Sequence, residues 1–154
     1  MTSDTSGFLE RPDGERLAWR RTEGQGPTIV WLGGYRSDMA GTKAQALADW
    51  AAAHGRDFLR FDYFGHGESS GDFEKGTITR WREDALAVMD ELTEGPLVLV
   101  GSSMGGWIAC LAAMAWPERV HGMVLIAPAP DFTEKLIAPG LDEAARAQLA
   151  QTGV

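Results

Sequence analysis

The sequence predicts an α/β fold in which a mostly parallel β-sheet carries helices on both faces. Short apolar runs alternate along the chain with amphipathic stretches that are long enough for a helix, which is the order of repeated βαβ units. The runs at 28–32, 97–100 and 120–126 are apolar along most of their length, as strands buried on both faces are. No internal repeat interrupts this order.

The strands begin with a predicted antiparallel hairpin. Pro12-Asp13-Gly14 is a turn signal between two strand-like runs. Glycines follow later strands, as at Gly33-Gly34 and in the loop at 65–71. The predicted strands are, in chain order, 8–11, 16–21, 28–32, 58–61, 97–100 and 120–126.

Helices are predicted from apolar residues at helical spacing and from their end signals. Thr42 and Gln45 form a capping box at the start of the first helix, and Gly55 is suited to end it. Pro117 closes the third helix. The predicted helices cover about 42–54, 79–92, 105–116 and 142–151.

The composition excludes several classes of protein. The 154-residue chain has 14 Lys and Arg against 22 Asp and Glu, a formal net charge of −8, and 44% apolar residues. The apolar fraction excludes a disordered chain, and the acidic balance argues against nucleic-acid binding. The one cysteine cannot form an internal disulfide, which favours the cytoplasm. Prolines and glycines divide the uncharged stretch 95–117, so we expect no membrane span.

A candidate nucleophile lies between a predicted buried strand and a predicted helix. The residues from Gly101 to Gly105 read Gly-Ser-Ser-Met-Gly, the G-x-S-x-G pattern of a nucleophile elbow, in which a serine occupies a strained turn between two glycines. The register selects Ser103, because Ser102 would need a glycine at Val100. The helix start behind the serine directs N–H groups at developing negative charge. The alternative interpretation is a small-residue packing turn.

An oxyanion hole requires two backbone N–H groups near the reacting carbonyl. The elbow offers the N–H of Met104, the residue after the serine. The loop after strand 28–32 offers that of Tyr35, and Gly33 and Gly34 would let this loop approach closely.

A serine nucleophile also requires a histidine base and an acid that orients the histidine, and with this elbow both follow the serine in the chain. Asp131 is a candidate acid, with a helix cap or surface charge as the alternative. His121 follows Ser103 but begins a strand at the far end of the sheet, so we interpret it as structural. His66 lies in a suitable loop but precedes the serine, and His54 ends a helix. No triad histidine is identified in the chain.

Several segments in combination carry a resemblance to a known family. They are 34–39 (GYRSDM), 41–44 (GTKA), 60–63 (RFDY), Gly65, Gly67, 69–71 (SSG), 81–84 (WRED), 95–96 (GP), 101–107 (GSSMGGW) and 117–120 (PERV). With these segments the region from about 28 to 130 resembles the α/β-hydrolase superfamily. Within it, the sequence is most similar to the abhydrolase-domain palmitoyl-protein thioesterases, also known as mycophenolic acid acyl-glucuronide esterases.

The resemblance implies an α/β-hydrolase fold, with residues 1–130 as the N-terminal part of the core and 131–154 as the start of a lid. It also implies that Ser103 accepts an acyl group from a small-molecule or acyl-protein ester or thioester, without a metal or cofactor, and that Met104 and Tyr35 form the oxyanion hole. In that family the acid and histidine follow the lid and two further strands. We therefore expect that the C-terminal strands are missing, a shortfall of roughly 60 residues or more, and that strand 120–126 is an exposed apolar edge.

Two hypotheses of function follow. The first is a serine esterase or thioesterase, of which this chain alone would be inactive or nearly so because it lacks the histidine. The second is a truncated or non-catalytic hydrolase that acts, if at all, as a binding partner or as a complement to a missing C-terminal part.

Overall fold

The described part of the protein, residues 4–153 of a computed structural model, contains one six-stranded sheet. The strands are β1 (Asp4–Glu10), β2 (Arg16–Thr22), β3 (Gln25–Leu32), β4 (Arg56–Phe61), β5 (Leu97–Ser102) and β6 (Val120–Ile126). Their order in the sheet is β1-β2-β4-β3-β5-β6. β2 pairs with β1 and β4 in the antiparallel sense, and the other neighbours are parallel. The predicted, mostly parallel sheet is confirmed.

Helices lie between the later strands and after β6. They are α1 (Thr42–His54), α2 (Ile78–Leu92), α3 (Met104–Ala115) and α4 (Glu143–Thr152), with shorter helical turns at Phe73–Lys75, Thr133–Ile137 and Ala138–Gly140. The uncharged stretch 95–117 forms β5 and α3, as predicted. Within residues 4–153, no helix has the length and apolar content needed to cross a membrane.

The sheet is covered on both faces. On one face, Ala48 of α1 packs in a cluster with Phe58 of β4. On the other face, Val88 of α2 and Ile108 of α3 pack in a larger cluster with Leu99 of β5. Burial of a side chain of this size stabilises the fold by about 1.5–3 kcal/mol. Parallel pairing of β3 with β4 and with β5 places the carboxyl ends of these three strands side by side at one edge of the sheet.

The start of α1 differs from the prediction. Its N-cap is Gly41 and no side chain caps the helix, so the predicted capping box of Thr42 and Gln45 is wrong. Gln45 instead accepts a hydrogen bond from the buried guanidinium of Arg60, with 3.0 Å between Nη1 and Oε1. A buried cation must have acceptors within the protein, whereas N–H groups at an exposed helix start also bond to water. The end of the helix is as predicted, with Gly55 in the left-handed region at φ 63°.

β6 is an edge strand of the sheet. Its apolar sequence is typical of a buried strand, but Met123, Val124 and Leu125 are 42%, 52% and 38% exposed. The reason is that no other strand lies beside its outer edge in residues 4–153. The expected exposed apolar edge is therefore present. The predicted domain boundary at residue 130 stays a prediction.

Candidate active site

Ser103 alone connects β5 to α3. β5 ends at Ser102 and α3 begins at Met104. Ser103 has φ 56° and ψ −119°, a combination that costs a residue with a Cβ atom on the order of 1–3 kcal/mol. Its N–H donates to the carbonyl of Ile126 at 3.0 Å, and its carbonyl accepts from the N–H of Ala129 at 3.1 Å. The end of β6 and the loop after it therefore hold the strained turn, which leaves Ser103 exposed.

Gly101 and Gly105 allow this turn because a side chain at either position would collide with backbone atoms. A methyl group on Gly101 would lie 2.8 Å from the Cα atom of Gly106, and one on Gly105 would lie 2.6 Å from the carbonyl oxygen of Gly33. Cβ atoms in proteins essentially never approach other atoms this closely. The glycines of the sequence pattern thus have the steric role that a nucleophile elbow requires.

The loop after β3, residues 33–37, lies beside Ser103 and is named the oxyanion loop below. A Cβ atom added to Gly34 would be 3.6 Å from the Cβ atom of Ser103. Within residues 4–153, the N–H groups of Tyr35 and Met104 donate to no protein acceptor. The structure therefore places the loop that carries Tyr35 beside Ser103, which Met104 directly follows; the role of these N–H groups as an oxyanion hole stays a prediction.

The loop after β4 supports the oxyanion loop from behind. Tyr63 donates its hydroxyl proton to the carbonyl of Gly33 at 3.0 Å. Asp62 accepts hydrogen bonds from the N–H groups of Met39 at 2.8 Å and Glu68 at 2.9 Å. Burial raises the pKa of the Asp62 carboxyl, and the two N–H donors oppose part of that rise. Burial also raises the pKa of the Tyr63 hydroxyl, which keeps it a proton donor.

The sequence pattern assigns no role to Asp62 and Tyr63, although it holds a signal. Both residues directly follow β4, and polar residues just after a strand of a parallel sheet lie at the edge where ligands bind. The pattern does not show which loop they contact, because 30 residues separate Tyr63 from Gly33.

Aromatic side chains form a wall at the oxyanion loop. The ring of Tyr35 packs edge-on against Phe73, Phe132 and Trp81, with centroid distances of 5.0, 5.5 and 6.1 Å. A cavity of about 650 Å³ extends from Tyr35 between α2 and the C-terminal residues. Its apolar lining includes Phe73, Ile78, Trp81, Ile137, Leu141 and Leu149.

The three histidines of the chain are not placed to act as a base for Ser103. His121 lies near the N-terminal end of β6, whereas Ser103 follows the C-terminal end of the neighbouring β5, a separation of five strand residues or roughly 16 Å. His54 ends α1, where its ring stacks on Trp50 at 4.5 Å. His66 is buried and forms hydrogen bonds through both ring nitrogens.

Asp131, the candidate acid, lies in the loop after β6. It is exposed, has φ 52°, and its backbone carbonyl accepts hydrogen bonds from the N–H groups of Glu134 and Lys135. Its role as an acid stays a prediction. In the part of the chain that the structure describes, no three His, Cys, Asp or Glu side chains are grouped to hold a metal ion.

The sequence matches a family of known proteins. Residues 28–152 match the family described as serine aminopeptidase, S33, and the matched segment includes the elbow and the oxyanion loop. The chain belongs to this family of α/β hydrolases.

The relatives of this α/β hydrolase include mammalian enzymes. It is 46% identical over 124 residues to palmitoyl-protein thioesterase ABHD10, mitochondrial, of Bos taurus, and 44% identical over 124 residues to the Homo sapiens protein of the same name. Each match covers 80% of this chain and 40% of the relative. The chain thus spans about two fifths of the length of these curated relatives.

Solved structures have the same fold. A hydrolase from Agrobacterium vitis S4 matches with a TM-score of 0.88 and 47% identity, over 99% of this chain and 62% of that one. Alpha/beta hydrolase domain-containing protein 10 from mouse matches with a TM-score of 0.87 and 38% identity, over 97% and 59%. The predicted α/β-hydrolase fold and the resemblance to the palmitoyl-protein thioesterases are confirmed.

Proposed function

We propose that this α/β hydrolase is a serine hydrolase that cleaves acyl esters or thioesters through an acyl-enzyme on Ser103. The observation that carries the proposal is the backbone of Ser103, at φ 56° and ψ −119°, beside the oxyanion loop. Strain of this kind persists where the surrounding structure enforces it, and it clusters at active sites. The curated relatives at 44–46% identity are named palmitoyl-protein thioesterases, which supports an acyl substrate.

In the proposed reaction, Oγ of Ser103 attacks the acyl carbonyl carbon while its proton passes to a base. The carbonyl oxygen takes the electron pair and becomes negative, and the N–H groups of Met104 and Tyr35 donate to it. When the carbonyl re-forms, the thiol or alcohol leaves with the proton and the acyl group stays on Ser103. Water then repeats the two steps and releases the carboxylic acid.

The cavity at Tyr35 is an argument for an apolar acyl group in the substrate. Its volume of about 650 Å³ falls within the range of roughly 300–1,000 Å³ that is usual for ligand pockets. An acyl chain in this cavity would gain about 0.8 kcal/mol for each CH₂ group removed from water. We therefore propose that the substrates are small-molecule or acyl-protein esters and thioesters whose acyl chain occupies the cavity.

The proposed mechanism also requires a base that takes the proton of Ser103, and residues 4–153 do not place one beside it. We propose that this chain alone hydrolyses esters slowly or not at all, because loss of one triad member costs roughly 10⁴-fold in rate. The second candidate function is that of a non-catalytic or complementing partner. The exposed edge of β6 favours it, because unpaired backbone groups on an edge strand accept another strand.

Hydrolysis of p-nitrophenyl esters with short and long acyl chains tests the first candidate. Two samples are compared: the chain alone, and the chain co-expressed with the part of the Agrobacterium vitis hydrolase that lies beyond the match. We expect background rates from the first sample and Ser103-dependent hydrolysis from the second. Ser103→Ala should abolish this hydrolysis, whereas Ser102→Ala, the matched control, should retain it.

Three outcomes would change these conclusions. Ordinary turnover by the chain alone that Ser103→Ala abolishes would contradict the proposed inactivity. Hydrolysis that persists in Ser103→Ala would contradict the assignment of the nucleophile. A soluble, co-purifying pair of polypeptides without hydrolysis would favour the complementing but non-catalytic candidate.

We also propose a cytoplasmic location, on the ground that the chain has a single cysteine and no internal disulfide. The mammalian relatives, by contrast, are named mitochondrial. Fractionation of the source cells, followed by detection with an antibody to this chain, tests the proposal, and enrichment in an organelle or in the secreted fraction would contradict it.

A further inference from the structure

His66 connects the loop after β4 to the oxyanion loop. It is 3% exposed, and its Nε2 atom lies 3.3 Å from the backbone nitrogen of Arg36. Arg36 directly follows Tyr35, whose N–H we propose for the oxyanion hole. A hydrogen bond at Arg36 therefore acts on the peptide group next to the proposed donor.

The two hydrogen bonds of the His66 ring require one protonation state. Nδ1 lies 3.0 Å from the carbonyl oxygen of Phe64, which only accepts, so Nδ1 carries the proton. The backbone nitrogen of Arg36 only donates, so Nε2 must offer a lone pair. Burial lowers the pKa of His66, with the Phe64 carbonyl opposing part of that shift, and the neutral form is favoured.

Aromatic rings fix the orientation of the His66 ring. Tyr63, Phe73 and Trp81 surround it edge-on, at centroid distances of 5.5, 5.1 and 5.1 Å. Because the rings occupy these sides, the imidazole stays directed at the oxyanion loop. His66 also lines a surface cavity next to the oxyanion loop, and the charged side chains that line this cavity with it are Arg36, Asp72 and Glu74.

Arg36 depends on this contact because its own backbone is strained. Its φ of 59° lies in the left-handed region, which is unfavourable for a residue with a Cβ atom. Its guanidinium lies over the ring of Phe73, 4.7 Å from the centroid, a contact that involves the side chain and not the backbone N–H. The N–H and the hydroxyl of Ser37 both donate to the carbonyl of Gly34, at 3.2 and 2.7 Å, and close the turn around Arg36. The contact with His66 is the one that fixes the N–H of Arg36 itself.

We propose that His66 is a positioning residue for the oxyanion hole: its neutral Nε2 accepts the N–H of Arg36 and so holds Tyr35 beside Ser103. The contact between His66 and the loop stands by itself, whereas its effect on catalysis rests on the proposed function. Protonation of His66 would place a second N–H opposite that of Arg36 and release the loop.

Nuclear magnetic resonance on the isotopically labelled chain tests the contact. Long-range proton–nitrogen spectra of the imidazole should show the Nδ1–H tautomer of His66 at neutral pH. In His66→Phe, which fills the aromatic cage without an acceptor, the Arg36 N–H should exchange with solvent roughly 10-fold faster, as expected for a lost hydrogen bond, and the Tyr35 amide resonance should shift. In His66→Gln, which keeps a side-chain acceptor in Oε1, both the exchange rate and the resonance should stay close to those of the unaltered protein.

The proposal is overturned by an Nε2–H tautomer, or by an Arg36 exchange rate in His66→Phe that equals that of the unaltered protein. The tautomer is measured without any substitution, so the test survives if His66→Phe fails to fold. In the co-expressed assembly, His66→Phe should lower kcat roughly 10- to 100-fold with KM little changed, and His66→Gln should restore it. Ser103→Ala abolishes hydrolysis but leaves the resonance results unchanged, so a failure of the proposed function is distinguished from a failure of the His66 contact.

Discussion

Replacement of Gly105 by alanine tests the packing of the elbow against the oxyanion loop. The added methyl group would lie 2.6 Å from the carbonyl oxygen of Gly33 and closer still to that of Leu32. Both oxygens belong to the backbone at the end of β3, so no rotamer change relieves the contact. Overpacking of this kind costs roughly 1–3 kcal/mol, and backbone contact places the cost at the top of that range. The higher helix propensity of alanine offsets about 1 kcal/mol of this cost, so the free energy of unfolding should fall by about 2 kcal/mol.

Urea unfolding followed by far-ultraviolet circular dichroism measures this loss. With a slope of about 2 kcal/mol per molar urea for a protein of this size, Gly105→Ala should lower the midpoint by about 1 M. Gly140→Ala is the matched control, because no atom lies within 4 Å of its added methyl group, and its stability should change by less than about 0.5 kcal/mol. A Gly105→Ala protein as stable as the control would show that the end of β3 does not lie against the start of α3.

Three further predictions concern the same edge of the sheet. Ser103→Gly should raise the free energy of unfolding by about 1 kcal/mol, because relief of roughly 1–3 kcal/mol of strain exceeds the entropic cost of a glycine. Ser102→Gly, within β5, should lower it, and the reverse order of the two midpoints in urea would contradict the strain at Ser103. Asp62→Asn should lower the free energy of unfolding by about 2–3 kcal/mol, because an NH₂ group would face a backbone N–H donor; the exposed Glu118→Gln is the control, and equal midpoints would refute the role of the carboxylate. Stability should also fall as the pH falls through about 6.5, because the unfolded chain binds a proton that buried His66, with its lowered pKa, does not. His66→Gln should flatten this part of the pH profile, and an unchanged profile would count against the lowered pKa.

Most elements of the fold could be predicted because their signals are local. Apolar spacing and turn signals identified the six strands and the four α-helices, with errors mainly at the ends, but not the three short helical turns at Phe73–Lys75, Thr133–Ile137 and Ala138–Gly140. β3, for example, begins at Gln25 rather than at residue 28, because residue 25 pairs with Arg56 of β4. That pairing extends the strand to residues 25–27, Gln-Gly-Pro, which carry no strand pattern of their own. The capping box failed for a similar reason, since Gln45 bonds to Arg60, which lies 15 residues away.

In the candidate site, too, the local feature could be predicted from the sequence and the long-range contacts could not. The elbow could be predicted from five consecutive residues, Gly101 to Gly105, because one short turn contains both the strained serine and the glycines that make space around it. The support of the oxyanion loop is not local: His66 accepts from a backbone N–H that lies 30 residues earlier in the chain. No pattern of spacing shows which of several loops such a histidine contacts.

The sequence alone determined that this protein has an α/β sheet with Ser103 at the turn after β5. It did so because burial, helical period and a strained turn depend on residues that are neighbours in the chain. Only the tertiary structure decided that His66 and Tyr63 contact the oxyanion loop, and that Gln45 bonds to Arg60 instead of capping its helix. These outcomes depend on which strands pair and on which loops meet at one edge of the sheet, and backbone pairing sets both across dozens of residues.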